Sequence, residues 1–254
     1  MNTKPISPGI EDAIAHLSQL GEALLHNRYK ISLLREQSVQ NADGSMRLLQ
    51  VPPFFDRVMQ RAVAQVITPS LDTLMYSGSF EFRRGRSRHS AAKMIQKAYQ
   101  EGYRWVFESD VENFFDSIQW SKLFTRLIAF FGDDLVSDII MAWMSAPIER
   151  QGQKVEQREI GLPQGSPLSP LLANIMLDDF DSDLEHAGLR LVRFADDFIV
   201  LTRTEKAAEA AKDVVIAALA EEDLKINESK TRIRSFAQGF RVVLHIVVVN
   251  LLKC

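Results

Sequence analysis

Arg193-Phe194-Ala195-Asp196-Asp197-Phe198-Ile199-Val200-Leu201 is an apolar stretch interrupted by two adjacent carboxylates. Apart from those acids it reads as a buried strand hairpin, with Asp196 and Asp197 at its bend. An ionised carboxylate buried without a partner is costly, so acids in such a place are paired with a base or ligate a hard cation. No Lys or Arg alternates with these two closely enough to neutralise both. Taken alone, the pair also fits a polar β-turn, because aspartate favours turns.

A second acid with the same oddity lies upstream, in Trp105-Val106-Phe107-Glu108-Ser109-Asp110-Val111. Asp110 ends a short aromatic and β-branched run, which places it at a strand terminus; a helix N-cap is the structural alternative. If the strands of Asp110 and Asp196 are neighbours, their carboxylates converge and suit two Mg²⁺ ions about 3.5–4 Å apart, the arrangement for in-line displacement at phosphorus. Asp116, close behind Asp110, reads as structural. Between the acids runs Gly161-Leu162-Pro163-Gln164-Gly165-Ser166-Pro167-Leu168-Ser169-Pro170, whose glycines and prolines define a loop, followed by an apolar helix. Its glycines let backbone approach a ligand, and the Gln164 amide both donates and accepts.

Asp110 with Phe115, the block Pro163 to Asn174, and Phe194-Ala195-Asp196-Asp197 resemble, in that order, motifs A, B and C of prokaryotic reverse transcriptases. The flavour is that of the group II intron-like branch, with CRISPR-associated and retron-like enzymes beside it. Arg47 to Ala62 and Phe80 to Ala92 resemble fingers segments of that family, and Leu224 to Thr231 resembles motif D. Three ordered motifs are far more specific than any one of them. The resemblance implies an α+β right-hand polymerase with fingers and palm, the antiparallel palm sheet flanked by helices. Residues 1–104 would be N-terminal helices and fingers, with 145–165 partly interleaved, and 105–240 the palm. Residues 241–254 depart from the family pattern and are expected to be an atypical tail with the thumb absent, that surface coming from a partner protein or domain.

The activity so implied is RNA-directed DNA polymerisation, extending the 3′-hydroxyl of a DNA or RNA primer on an RNA template with dNTPs. Two Mg²⁺ ions, or Mn²⁺ as substitute, would be held by Asp110, Asp196, Asp197 and the Val111 carbonyl. Arg47, Arg57, Phe115, Gln164 and Lys230 would bind the dNTP. In that family the aromatic at the Phe115 position packs under the sugar and excludes a 2′-hydroxyl, and the motif D lysine protonates pyrophosphate. Arg83, Arg84, Arg86 and Arg88 would meet nucleic-acid phosphates; a solvated basic loop is the alternative. Two other functions compete. Phe115 argues against an RNA-dependent RNA polymerase. Three intact acids argue against an inactive RNA-binding or maturase-like palm module, since unpaired carboxylates are costly to keep.

The chain has 254 residues, 46% of them hydrophobic, enough for a full core. Its net charge of −3 hides a polarity: residues 28–104 hold 13 Lys/Arg against 6 Asp/Glu, leaving the remainder strongly acidic. No run of 18 apolar residues occurs, and Met1 to Pro5 lack a charged-then-apolar signal pattern, so membrane spanning and secretion are disfavoured. The single Cys254 excludes an internal disulfide, and the five histidines lack metal-ligand spacing. A cytoplasmic setting is expected. Periodicity predicts helices near 10–30 and over 56–67, 90–100, 120–131, 136–144 and 205–221, with extended chain at 46–52, 104–110, 191–201 and 225–236.

Overall fold

The computed structural model describes residues 8–239 apart from 27, 41–43, 45, 133, 151, 152, 156 and 157, together with 241, 242, 246 and 247. The tail expected over 241–254 lies largely outside the described residues, and Met1 to Pro5 and Cys254 wholly so. In chain order the elements are α1 (Pro8–Leu25), β1 (Leu34–Gln40), β2 (Met46–Val51), α2 (Phe54–Asp72), α3 (Arg88–Gln100), β3 (Trp105–Asp110), α4 (Phe114–Ser117), α5 (Trp120–Phe131) and α6 (Asp134–Met144). There follow β4 (Ile148–Arg150), β5 (Gln153–Val155), α7 (Ser169–Met176), α8 (Asp178–His186), β6 (Arg190–Phe194), β7 (Asp197–Thr202), α9 (Glu205–Glu221), β8 (Arg232–Ser235), β9 (Arg241–Val242) and β10 (Ile246–Val247).

The central sheet has the order β6-β7-β3-β8, every neighbouring pair antiparallel. Its central strand β7 is apolar without a break from Phe198 to Leu201 because both faces are covered. Phe107, Leu191, Phe198 and Val200 enter a core shared with α5, α7, α8 and α9. The alternate residues Val106, Val192, Phe194, Ile199 and Leu201 pack on Ala91, Ile95 and Ala98 of α3. Small side chains bring both helix layers close: Ala208, Ala211 and Ala218 are the buried positions of α9 beside Val215 and Leu219. Side chains also define the helix starts, Thr204 accepting from the Ala207 amide and Ser87 forming a capping box with Ser90.

A second sheet, ordered β2-β1-β4-β5, stands over the opening of the first. β1 pairs antiparallel with β2, from Arg35 opposite Val51 to Gln40 opposite Met46, and parallel with β4 at Leu34 and Arg35. Arg150 clamps this junction with two hydrogen bonds of 2.7 Å to the Glu36 carboxylate.

Several elements differ from the sequence expectation. α2 continues beyond Ile67 and past Pro69 to Asp72, because Leu71 is buried in the core and Asp72 receives Arg83. The strand expected over 225–236 narrows to β8: the Asn227 side chain accepts from the Ser229 amide and hydroxyl, turning 227–231 into a loop. β1 and α8 were not anticipated. Among the described residues, no helix is long and apolar enough to cross a membrane.

Candidate active site

The geometry of the site begins at the β6–β7 hairpin. Phe194 pairs with Asp197, so Ala195 and Asp196 make a two-residue turn. Ala195 has φ of +58°, a left-handed conformation that costs a non-glycine residue about 1 kcal/mol or more. Asp197 lies opposite Asp110 in the β3–β7 ladder, which fixes the two acids as cross-strand neighbours. The Val111 amide donates to the Asp196 carbonyl at 3.2 Å, and the Asn227 amide to the Asp110 carbonyl at 2.9 Å. Three chain segments are thereby locked around the acids.

Asp110 is only 3% exposed. Its Oδ2 accepts from the Lys230 ammonium, and its Oδ1 is buried with no hydrogen-bond partner. Burial pushes the Asp197 carboxyl up to about 6, assisted by the charges of Asp196 and Asp110 and opposed by Lys230. Asp196 is raised for the same first reason, burial, and Asp110 adds to it. Lys230 is raised by its bond to Asp110. The cluster has more negative charge than one ammonium satisfies. Even so, among the described residues no three acid, histidine or cysteine side chains are gathered in a metal-holding group. The acids meet as ladder neighbours and through their fields, while the lysine occupies one carboxylate oxygen.

Asp110 and Asp196 line a cleft of about 1440 Å³, with Asp197 behind them and outside its lining; the other wall carries Arg47 of β2 and Arg57 and Arg61 of α2. Of the residues singled out from sequence, Arg47, Arg57, Asp110, Val111, Phe115, Gln164, Asp196 and Lys230 all line this one space. The loop before α7 is gripped by both halves. The Gln50 amide donates to the Gln164 carbonyl at 2.8 Å, and Ser166 Oγ donates to the buried Gln60 Oε1 at 2.8 Å. Gly165 (φ +130°) lies so close to β2 that a Cβ would meet Val51 Cγ2 at 3.1 Å and the Gln50 carbonyl at 3.2 Å. Gly161 (φ +86°) sits equally close to the backbone of Phe115 and Asp116, and the Leu162 amide donates to the Phe115 carbonyl at 2.7 Å. Phe115 is thus half-buried on Phe114 with its position fixed from the main chain. Asp116, read as structural, accepts from Gln164 Nε2 at 3.4 Å.

Residues 39–243 match the family described as Reverse transcriptase (RNA-dependent DNA polymerase). The chain belongs to the reverse transcriptase family. Protein YkfC of Escherichia coli (strain K12) is 26% identical over 271 residues, covering 90% of this reverse transcriptase and 70% of that protein. Group II intron-encoded protein LtrA of Lactococcus lactis subsp. cremoris is 34% identical over 136 residues, 54% of this chain and 22% of LtrA. Among solved structures, a chain of the partial Cas6-RT-Cas1--Cas2 complex is 36% identical with a TM-score of 0.50, covering 88% of this chain and 39% of that one. Telomerase from Candida albicans shares the fold, with a TM-score of 0.68 at 13% identity over 92% of this chain and 47% of that one. This reverse transcriptase therefore spans about a fifth of LtrA and well under half of the Cas6-RT-Cas1 chain.

The four arginines expected to form one phosphate cluster diverge in the reverse transcriptase. Arg83 is a correction: it is buried, its guanidinium bonded to the Asp72 carboxylate and to the carbonyls of Asp72, Met75, Tyr76 and Ser79. With its donors turned inward it shapes the 72–83 loop instead of meeting phosphate. Arg84 is exposed and lines a second groove of about 690 Å³ that shares Arg61, Gln65, Pro167 and Pro170 with the main cleft. Arg86 donates to the Ser77 carbonyl at 3.0 Å and lies over the Phe80 ring; Arg88 is exposed over Phe194. Sequence reasoning missed Gln60, which grips the loop, and Glu81. Burial and then Asp196 push Glu81 up to about 6, so it senses the charge of the acids from outside the motifs.

Proposed function

We propose that this chain performs RNA-templated DNA synthesis, adding dNTPs to the 3′-hydroxyl of a DNA or RNA primer. One observation carries the reading: Asp110, cross-strand from Asp197 and with a buried unpartnered Oδ1, joins Asp196 in lining the cleft whose far wall holds Arg47 and Arg57. An all-oxygen donor set whose charge exceeds its internal compensation fits a hard divalent cation. Two Mg²⁺ ions, or Mn²⁺ in their place, would be held by Asp110, Asp196, Asp197 and the Val111 carbonyl, and would supply activation of the primer hydroxyl and neutralisation of the leaving group.

The chain's own residues do the rest. Arg47 and Arg57 bind the triphosphate oxygens, for which guanidinium forks are matched. Phe115 stacks beneath the sugar and excludes a 2′-hydroxyl by overlap, since nothing on its ring accepts or donates a hydrogen bond. Gln164 contacts the nucleotide from the loop. Lys230 leaves Asp110 when the site fills and protonates the departing pyrophosphate. Arg84, Arg86 and Arg88 meet the nucleic acid from the 84–88 segment. Residues 1–104, with 145–165 partly interleaved, act as fingers and 105–240 as palm, and the likeness to a chain of the partial Cas6-RT-Cas1--Cas2 complex supports work alongside a partner protein or domain. The test is Mg²⁺-dependent extension of a DNA primer on RNA. Asp196→Ala should lower the rate by orders of magnitude while primer–template binding stays near the parent value; extension by that variant at the parent rate would end the proposal.

A further inference from the structure

Arg193 is 1% exposed and Asp181 fully buried, and their fork-to-fork pair has bonds of 2.7 Å and 2.6 Å. The remaining guanidinium nitrogen, Nη1, donates to Asn174 Oδ1 at 3.0 Å and to the Ala195 carbonyl at 2.9 Å. Asn174 in turn donates to the Glu81 carbonyl at 2.9 Å. The Arg193 backbone joins the same knot, its amide donating to Gly78 and its carbonyl accepting from Phe80. One side chain thereby ties α7, α8 and the 78–81 segment to the turn between β6 and β7.

Stability does not account for this arrangement. A buried ion pair is generally no more stabilising than apolar residues of the same volume. What an apolar pair could not do is hold the Ala195 carbonyl. Ala195 is the first residue of a two-residue hairpin turn and has positive φ, where glycine is the favoured residue. Rotation of its carbonyl towards a relaxed conformation would turn the next peptide plane, from which Asp196 and then Asp197 project. In the ladder, Arg193 pairs with Phe198 and belongs to the face under α7 and α8, whereas Asp197 pairs with Phe194 and Asp110 on the other. Arg193 therefore acts through the turn and not by contact with the carboxylates.

We propose that Arg193, braced by Asp181 and Asn174, is the positioning residue that sets the aim of the Asp196-Asp197 carboxylates. The inference rests on the polymerase reading. Supporting groups one layer behind metal-binding side chains typically change metal affinity or activity about 10- to 100-fold when removed.

Two variants of the full chain separate aim from folding. Arg193→Lys keeps a cation at Asp181 but cannot fork to three partners. Arg193→Met with Asp181→Leu removes the pair without orphaning a charge. Three quantities are read: single-nucleotide rate per active site, normalised by burst amplitude; Mn²⁺ affinity of the nucleic-acid-free protein by electron paramagnetic resonance; and primer–template affinity. Expected are a rate about 10- to 100-fold lower and Mn²⁺ binding weakened by about 10-fold, with primer–template affinity unchanged. A folded variant that keeps both rate and Mn²⁺ affinity overturns the proposal, because a merely structural role lowers burst amplitude alone. Should both variants be insoluble, Asn174→Ser, which removes one arm of the fork, is held to the same criterion with a loss of about 10-fold expected. A parent protein that binds Mn²⁺ yet extends no primer would sink the polymerase reading instead, leaving the Mn²⁺ arm to judge Arg193 by itself.

Discussion

Asp197 shows what a buried acid costs the protein that carries it. Its carboxyl is held at about 6, burial being the main cause, with Asp196 and Asp110 adding to it. The unfolded chain would titrate near about 4, so the folded state binds this proton more tightly. The contribution is therefore fully present below about pH 4 and is lost as pH rises through 6. In EDTA, Asp197→Asn should raise the melting temperature at pH 7.5 by the equivalent of about 1–2 kcal/mol, after discounting for partial exposure, and should gain nothing at pH 4. A scan with equal gains at both pH values would mean the carboxylate is not penalised. Phe115 makes a different residue-scale claim: Phe115→Val should raise ribonucleotide over deoxynucleotide incorporation by about tenfold or more in competition assays, through relief of overlap at the sugar. An unchanged ratio removes the gate. Asp110, Asp196 and Asp197 were legible in the sequence because acids at the ends of apolar strands contradict their surroundings. Arg83 was not, because nothing in Arg83-Arg84-Gly85-Arg86 tells which guanidinium faces the carbonyls of residues 72–79.

At the scale of elements, the loop before α7 joins the two sheets through close backbone contact. Gly165→Ala would drive a Cβ to 3.1–3.2 Å from Val51 and the Gln50 carbonyl, at a φ that disfavours any side chain. The expected result is a loss of about 1–3 kcal/mol in stability, measured by urea denaturation, with a raised KM for dNTP because Gln164 is displaced along with its neighbour. Wild-type KM and stability together would show that the loop does not need this approach. The same loop was readable as a loop, since glycine and proline punctuate it, but its partners were not: Gln60 reaches Ser166 across more than a hundred residues. α5 and α9 coincide with their sequence expectation because helical periodicity and alanine-rich packing agree locally. β1 was missed because Leu34 is its one buried residue, so it carries no alternation of apolar and polar positions. α8 was missed because its acidic first turn, Asp178-Asp179-Phe180-Asp181, looks like a solvated loop until Asp181 is seen beneath Arg193.

Across the whole molecule the charge is divided in a way that its net value of −3 conceals. Asp110 and Asp196 line one side of the cleft, while exposed Arg47, Arg57 and Arg61 stand on the opposite wall, and Arg84 carries the basic side into the adjoining groove. A polyanion entering this space meets cations on one side and carboxylates on the other. Without a divalent ion it would be held by the wall alone. Binding should thus depend steeply on salt, each phosphate neutralised contributing about −0.7 to −0.9 to the slope of log K against log salt. Arg61→Ala and Arg84→Ala should each reduce that slope by about 1 and weaken RNA–DNA hybrids of different sequence to the same degree, as phosphate contacts carry no sequence information. Fluorescence anisotropy over a salt series measures both. Slopes unchanged by both substitutions would place the nucleic acid on some other surface than α2 and the adjoining groove. Sequence-dependent losses would mean that these arginines read bases.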